Sequence, residues 1–249
     1  MTEQHRQRAI RLRLTRSDQH RPKGVLPTGF AALDSALGAG GLPRGAMVEL
    51  FGASSSGKTT LALQVVAQAQ RNGETAAWID AEHAFDAAYA SHLGVSVEHM
   101  PLAQPVSAEQ ALGIACRLAG SGAVDLLVVD SAAALVPSLE LESGMGSSGA
   151  GLQSRVLASG LRRLARVVAK CDTVVVFLNQ TRSRRQPSGG EAETSAGGAP
   201  LKLYASVRLS LALRNGERAI FRILKNKGAA AYREGEIRRR QSGEFTESP

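Results

Sequence analysis

Hydrophobic positions along this chain follow two rhythms. Near-continuous apolar runs at 47–51, 75–80, 124–130 and 173–178 each have the length of a strand buried on both faces. Longer stretches between them, at 59–69, 86–93, 107–119 and 152–170, read as helices. Ser107 supplies an N-cap for the third of these, and Gln110 completes a capping box. A short strand is expected near 100–103, and a short helix at 31–37 ahead of a Gly/Pro-rich loop at 38–45. This alternation predicts an α/β fold, a mostly parallel sheet with helices on both faces. Past residue 205 the rhythm changes. Runs at 206–213 and 218–224 are strand-like, and Arg214-Asn215-Gly216-Glu217 joins them. Asn-Gly between two such runs is a strong hairpin signal, so an antiparallel hairpin extension of the sheet is expected.

Two Gly/Ser-rich loops interrupt the core, at 142–151 and 181–198. Each follows a strand whose C-terminal end faces the ligand-binding edge of such a sheet, and loops of this length are usually functional. Charge divides the chain further. The net charge of +8 sits largely in two short segments: residues 1–23 carry seven basic and two acidic side chains, and 214–227 carry five and one. Residues 1–25 therefore read as a basic N-terminal arm, 26–232 as the core and 233–249 as a polar, disordered tail. The run Arg11-Leu12-Arg13-Leu14 is compatible with an edge strand or a disordered arm. The basic surplus is either a solvated tail or the mark of a polyanion or acidic partner. No apolar run approaches a membrane span, and the charged N-terminus lacks an apolar signal region, so a cytoplasmic protein is expected. Cys116 and Cys171 are too few for a disulfide scaffold and are expected to pack.

The stretch Gly52-Ala53-Ser54-Ser55-Ser56-Gly57-Lys58-Thr59-Thr60 carries the candidate chemistry, since it fits G-x-x-x-x-G-K-[ST] between a strand and a helix. Glycines at 52 and 57 let the backbone approach phosphates closely. The amides from about Ser54 to Thr59 and the positive end of the following helix make an anion site. Lys58 would reach the β/γ-phosphates of a nucleoside triphosphate, and the Thr59 hydroxyl would ligate Mg²⁺. Asp130, closing an apolar run, is the expected partner acid on the metal side. Glu82 ends the neighbouring strand, where a carboxylate could orient and deprotonate an attacking water. Gln180 ends another strand and could sense a γ-phosphate through its amide.

The runs Leu37-Gly38-Ala39-Gly40-Gly41-Leu42-Pro43, Ser55-Ser56-Gly57-Lys58-Thr59-Thr60, Ile79-Asp80-Ala81-Glu82-His83, Val129-Asp130-Ser131, Asn179-Gln180 and Tyr204-Ala205-Ser206-Val207-Arg208-Leu209 together resemble the bacterial recombinase RecA family, in order across 26–227. The resemblance implies a RecA-type P-loop NTPase core that uses ATP and Mg²⁺. It implies Glu82 as the catalytic glutamate and Gln180 as the switch coupling the γ-phosphate to DNA-binding loops. Asp86 and Tyr89 match adenine-contacting positions. The two Gly/Ser-rich loops match the DNA-binding loops, with Arg155, Arg182, Arg184, Arg185, Gly197 and Gly198 as DNA-binding candidates. Lys225 and Lys227 match lysines that reach the ATP of a neighbouring subunit, which implies a homo-oligomer or filament.

Several positions depart from the family pattern. Bulky apolar residues that wedge between bases look replaced by Ala150, Arg185 and Gly189. Ser54 replaces an acidic residue, and Leu203 stands where an aromatic residue helps to carry the signal between subunits. The chain is also expected to lack the family's separate C-terminal domain. The leading expectation is a DNA-dependent ATPase in homologous recombination and DNA repair that binds single-stranded DNA, with duplex as a second substrate. The alternative is an accessory, ImuA-like protein that supports damage-induced translesion synthesis by holding a polymerase or a full-length recombinase. A KaiC-like or helicase-like ATPase is a weaker third reading, opposed by the Asp-Ala-Glu-His and Leu-Lys-Asn-Lys runs.

Overall fold

The computed structural model describes residues 24–142, 151–185, 191–196 and 199–248. Residues 1–23, 143–150, 186–190, 197–198 and 249 lie outside the described residues. With them lie most of the basic arm, most of the first Gly/Ser-rich loop, Ala150, Gly189, Gly197 and Gly198.

The apolar runs form a parallel sheet because each strand has a buried face on both sides. Strands β3 (Met47–Gly52), β4 (Ala76–Asp80), β6 (Leu126–Asp130) and β7 (Val174–Arg185) supply its centre. Alternate residues point to opposite faces. Val48, Leu50, Trp78, Leu126, Val128, Val174 and Val176 enter one core with helix α2 (Lys58–Arg71). Met47, Ala77, Ile79, Leu127, Val129, Val175 and Phe177 enter the other, under α4 (Ala108–Gly120) and α6 (Leu152–Val168). Each fully buried Leu, Val or Phe contributes about 1.5–3 kcal/mol against exposure, so two cores explain why these runs tolerate few polar breaks.

Smaller elements complete the layers. These are β1 (Val25–Leu26), α1 (Ala31–Leu37), β2 (Leu42–Pro43), α3 (Ala87–His92), β5 (Leu102–Ala103), α5 (Ser138–Glu142), β8 (Glu191–Ser195), α7 (Ala199–Tyr204), β9 (Val207–Arg214), β10 (Arg218–Asn226), β11 (Glu234–Arg239) and β12 (Phe245–Glu247). Among the described residues the main sheet has ten strands in the order β12-β11-β10-β9-β3-β7-β6-β4-β5, with β8 paired to β7. From β5 to β9 the neighbours are parallel, and from β9 to β12 they are antiparallel. The expected hairpin is β9–β10, with Asn215 (φ 51°) and Gly216 (φ 73°) both in the left-handed region at its turn. Ser107 caps α4 as expected, accepting from Gln110 N at 3.3 Å. The Gln110 amide oxygen instead accepts from Val106 N, one residue earlier than a capping box requires.

Three expectations change. The loop at 38–45 contributes β2, which pairs with β1. The loop at 181–198 is in part a hairpin: β7 runs on to Arg185 and β8 returns antiparallel beside it. The tail expected to be disordered forms β11 and β12. Backbone pairing with β10 and the fully buried Ile237 hold β11, and surface ion pairs of Arg218 with Glu236 and Arg222 with Glu234 cross the two strands. Phe245 anchors β12 at 2% exposure. Its backbone exchanges two hydrogen bonds with the Gln64 side chain of α2, at 2.9 and 2.8 Å.

Phe245→Ala is expected to destabilise the protein by about 3–5 kcal/mol, the usual range for emptying a buried aromatic site. Urea denaturation followed by circular dichroism measures this. A loss within about 0.5 kcal/mol, typical of surface positions, would show that β12 is not docked.

Candidate functional site

The parallel pairing brings the C-terminal ends of β3, β4 and β6 to one edge, level with Gln180, which lies within β7 and does not end it as expected. Gly52 is the register partner of Gln180, and Asp80 is the partner of Asp130. The phosphate loop leaves β3 here under tight steric terms. A Cβ on Gly52 would lie 2.2 Å from the Leu211 carbonyl oxygen, and one on Gly57 would lie 2.4 Å from the Phe245 ring. Gly57 also sits at φ 91°, a conformation that disfavours any other residue. The loop then passes directly into α2, whose N-terminal amides and dipole face the same edge.

Lys58 is buried at 9% exposure and its ammonium is fully engaged. It donates to the carbonyls of Gly52 (3.2 Å) and Ala53 (2.7 Å) and to Ser56 Oγ (3.4 Å). Burial lowers its pKa, and the charges of Asp130 and Glu82 oppose that shift. Thr59 Oγ1 donates to Asp130 Oδ2 at 3.1 Å. Asp130 is pushed up to about 6, mainly by burial and then by the Glu82 charge, with the Thr59 hydrogen bond pulling the other way. Glu82 is exposed and accepts a hydrogen bond from Ser131 Oγ. The backbone amides of Ala81 and Glu82 both donate to Asp130 O, which ties the two strand ends together. Asp80, 2% exposed, accepts from Ala84 N, Phe85 N and Gln104, and so fixes the turn that carries Glu82.

Other candidates lie around this centre. Asp86 caps α3 by accepting from Tyr89 N at 2.9 Å, and Tyr89 Oη lies 2.9 Å from Thr60 Oγ1. Thus both residues flank the first turn of α2. Ser54 and Ser55 are exposed on the loop, and Ser56 is buried beneath it. Arg155 is exposed on α6, and Arg182, Arg184 and Arg185 fall on the extension of β7. Lys225 is held within its own chain: its ammonium donates to Lys202 O at 2.7 Å and Leu203 O at 3.1 Å, at the end of α7. Burial, then the neighbouring Lys227 and Arg208 charges, lower its pKa. Lys227 is exposed, and Leu203 is 66% exposed.

The oxygen donors at Thr59 and Asp130 suit a hard divalent cation such as Mg²⁺, which takes oxygen ligands. Among the described residues there is no cluster of three or more His, Cys, Asp or Glu side chains fit to hold a metal alone. Such a cation would therefore share its ligands with bound phosphates, as Mg²⁺ usually does. Sequence reasoning missed two contributors. Phe245 closes over Gly57, and the fully buried Glu49 pairs with the partly buried Arg208 behind the loop. A lone acid in the apolar strand β3 and a base, Arg208, near the start of β9 were the available signal for that pair.

A glycine-bound loop opening onto a helix, a lysine over it and acids at adjacent strand ends define a phosphate-loop α/β protein. The profile of the RecA N-terminal domain matches residues 3–239, so the chain belongs to that family. It is similar to Protein RecA of Thermus thermophilus, 50% identical over 223 residues, covering 86% of this chain and 66% of that protein. It is similar also to Protein RecA of Bifidobacterium breve, 49% identical over 222 residues, covering 86% and 57%. The chain thus spans less than two thirds of the length of these curated relatives. Among the described residues, no helix is long and apolar enough to cross a membrane.

The raised Asp130 pKa carries a stability cost whose sign is fixed. Its folded value, about 6, exceeds the reference 3.8. The folded state therefore binds more protons between those values, and stability falls as pH rises from about 4 to about 6. Above that window the penalty is on the order of 3 kcal/mol. In EDTA-containing buffer, Asp130→Asn is expected to exceed the parent in stability at pH 7.5 and to lose most of that advantage at pH 4. Urea midpoints at both pH values test this, and a pH-independent difference would refute it.

Proposed function

We propose that the protein is a Mg²⁺-dependent, DNA-stimulated ATPase of homologous recombination and repair. The convergence of Lys58, Thr59, Asp130 and Glu82 at one sheet edge supports this reading most directly. The loop amides and Lys58 bind the β- and γ-phosphates, while Thr59 and Asp130 hold Mg²⁺. Bound Mg²⁺ would supply charge neutralisation at the phosphate oxygens. Asp86 and Tyr89 contact the adenine. Glu82 orients a water and takes its proton as the water oxygen bonds to the γ-phosphorus. The bond from that phosphorus to the bridging oxygen breaks, and ADP leaves. Ser131 holds the Glu82 carboxylate in place through its hydroxyl. Gln180 senses the γ-phosphate from the register position opposite Gly52.

In the same reading, Arg155, Arg182, Arg184 and Arg185 bind phosphates of single-stranded DNA beside the hairpin. Lys225 and Lys227 serve the ATP of a neighbouring copy in a filament or smaller oligomer. In the chain itself Lys225 holds the end of α7, so service in trans requires it to leave those carbonyls.

The deciding experiment is the ATPase rate with and without single-stranded DNA over a salt series. Stimulation at low salt is expected, and the logarithm of affinity should fall by ~0.7 per phosphate contacted for each tenfold rise in salt. Lys58→Ala should abolish nucleotide binding. Glu82→Gln should keep binding and lower turnover by roughly 10²–10⁴-fold, the range for loss of a general base. An unchanged rate at low salt, with a polymerase captured from damaged cells, would favour the accessory role instead.

A further inference from the structure

Strands β10 and β11 carry four arginines. Arg218, Arg222 and Arg238 each pair with a carboxylate. Among the described residues Arg239 pairs with none, and its Nε is buried with no hydrogen-bond partner. The side chain is half-buried. A cation in that setting, with a donor left unmet, calls for an acceptor that the chain itself does not supply.

The sheet places this side chain at the phosphate loop. Strand β9 is parallel to β3, and β10 and β11 each reverse direction, so β11 runs the same way as β3. Arg239, its last residue, therefore emerges at the edge where the loop leaves the sheet. Alternation puts Gly235, Ile237 and Arg239 on one face of β11. That face looks into the core: a Cβ on Gly235 would lie 2.4 Å from the Phe221 ring, and Ile237 is fully buried. Arg239 is also the register partner of Phe245, the ring that closes over Gly57. Directly paired residues share a face, with Cβ atoms about 4.5–5.5 Å apart. Tyr89 is close by as well. A Cβ on Gly243 would lie 3.2 Å from Tyr89 Oη and 3.9 Å from Arg239 Nη2. Tyr89 Oη is in turn bonded to Thr60 in the first turn of α2.

The unmet donors thus stand beside Tyr89, on the side of the site read above as contacting the base. A guanidinium offers donors only, in a rigid fork. Adenine shows a donor amino group beside N7, whereas guanine shows two acceptors, N7 and O6, which an arginine takes bidentately. From this geometry we infer that Arg239 is a specificity-determining residue that donates to the acceptor edge of a bound purine, so that the site takes GTP as well as ATP. The inference rests on the nucleotide-binding reading above and adds to it a base contact from β11.

Calorimetry with Mg²⁺ and three probes tests it: non-hydrolysable analogues of ATP and of GTP, and inorganic tripolyphosphate, which has no base. In the parent protein the GTP analogue should bind within about tenfold of the ATP analogue. Arg239→Met keeps an unbranched apolar stem beside Phe245 and removes the fork. It should weaken the GTP analogue by about 10- to 150-fold, the usual worth of a hydrogen bond to a charged group. The ATP analogue should lose less, and tripolyphosphate should bind as before. Arg239→Lys keeps the charge without the fork, and should likewise hold tripolyphosphate and lose the GTP analogue. A parent that binds the ATP analogue and refuses the GTP analogue overturns the inference without recourse to a variant, and leaves the nucleotide site standing. Equal loss of all three probes in Arg239→Met overturns it too, since the side chain would then act on the phosphates or on the shape of the loop. So does a variant that binds the GTP analogue as tightly as the parent. A parent that binds none of the three overturns the nucleotide-site reading, and the base contact with it.

Discussion

The site depends on the immobility of β3. This strand is hydrogen-bonded to parallel neighbours on both sides and packed on both faces, so it has no freedom to slide or tilt. The phosphate loop therefore leaves the sheet at a fixed height, level with Gln180, and runs into α2 without slack. Close packing holds the turn from outside as well, since neither Leu211 O nor the Phe245 ring leaves room for a Cβ at Gly52 or Gly57. Rigid elements hold a constellation of charges better than loops do, because their positions are over-determined by packing.

On that frame the electrostatics are finely opposed. Lys58 is desolvated and loses some of its proton affinity, while Asp130 is desolvated and gains it. Each group's charge partly relieves the other, and Glu82 adds negative charge that raises Asp130 and supports Lys58. A site built this way carries the unfavourable burial of Asp130 beside the charges of Glu82 and Asp80. In the proposed reading a polyphosphate and a divalent cation relieve these charges together, with Lys58 and Thr59 in the first turn of α2 and Asp130 at the end of β6.

Much of this was legible in the sequence for a simple reason. Strands buried on both faces leave long apolar runs, and the phosphate loop carries its constraints in glycines at fixed spacing. The β9–β10 turn was readable because Asn215 and Gly216 suit left-handed backbone. Strand β11 escaped notice because Ile237 is its one buried side chain, and Glu234, Glu236 and Arg238 around it look like a solvated tail in one dimension. Strand β12 rests on a single buried ring, too little to make a pattern. Glu49 and Arg208 were visible as isolated charges, but only the parallel register showed them as one pair. The trans role of Lys225 and Lys227 stands on resemblance alone, because within one chain Lys225 is occupied by α7.

A ten-stranded sheet also has to stop somewhere. Its outer members among the described residues are very short: β5 has two residues and β12 has three. Beside β12, the strand β11 alternates charged residues with few apolar ones. Short, charged margins offer little template for indiscriminate strand addition, which is how open sheets avoid sticking to one another at high local concentration. For a protein whose proposed work requires ordered stacking of many copies, that restraint separates controlled assembly from aggregation.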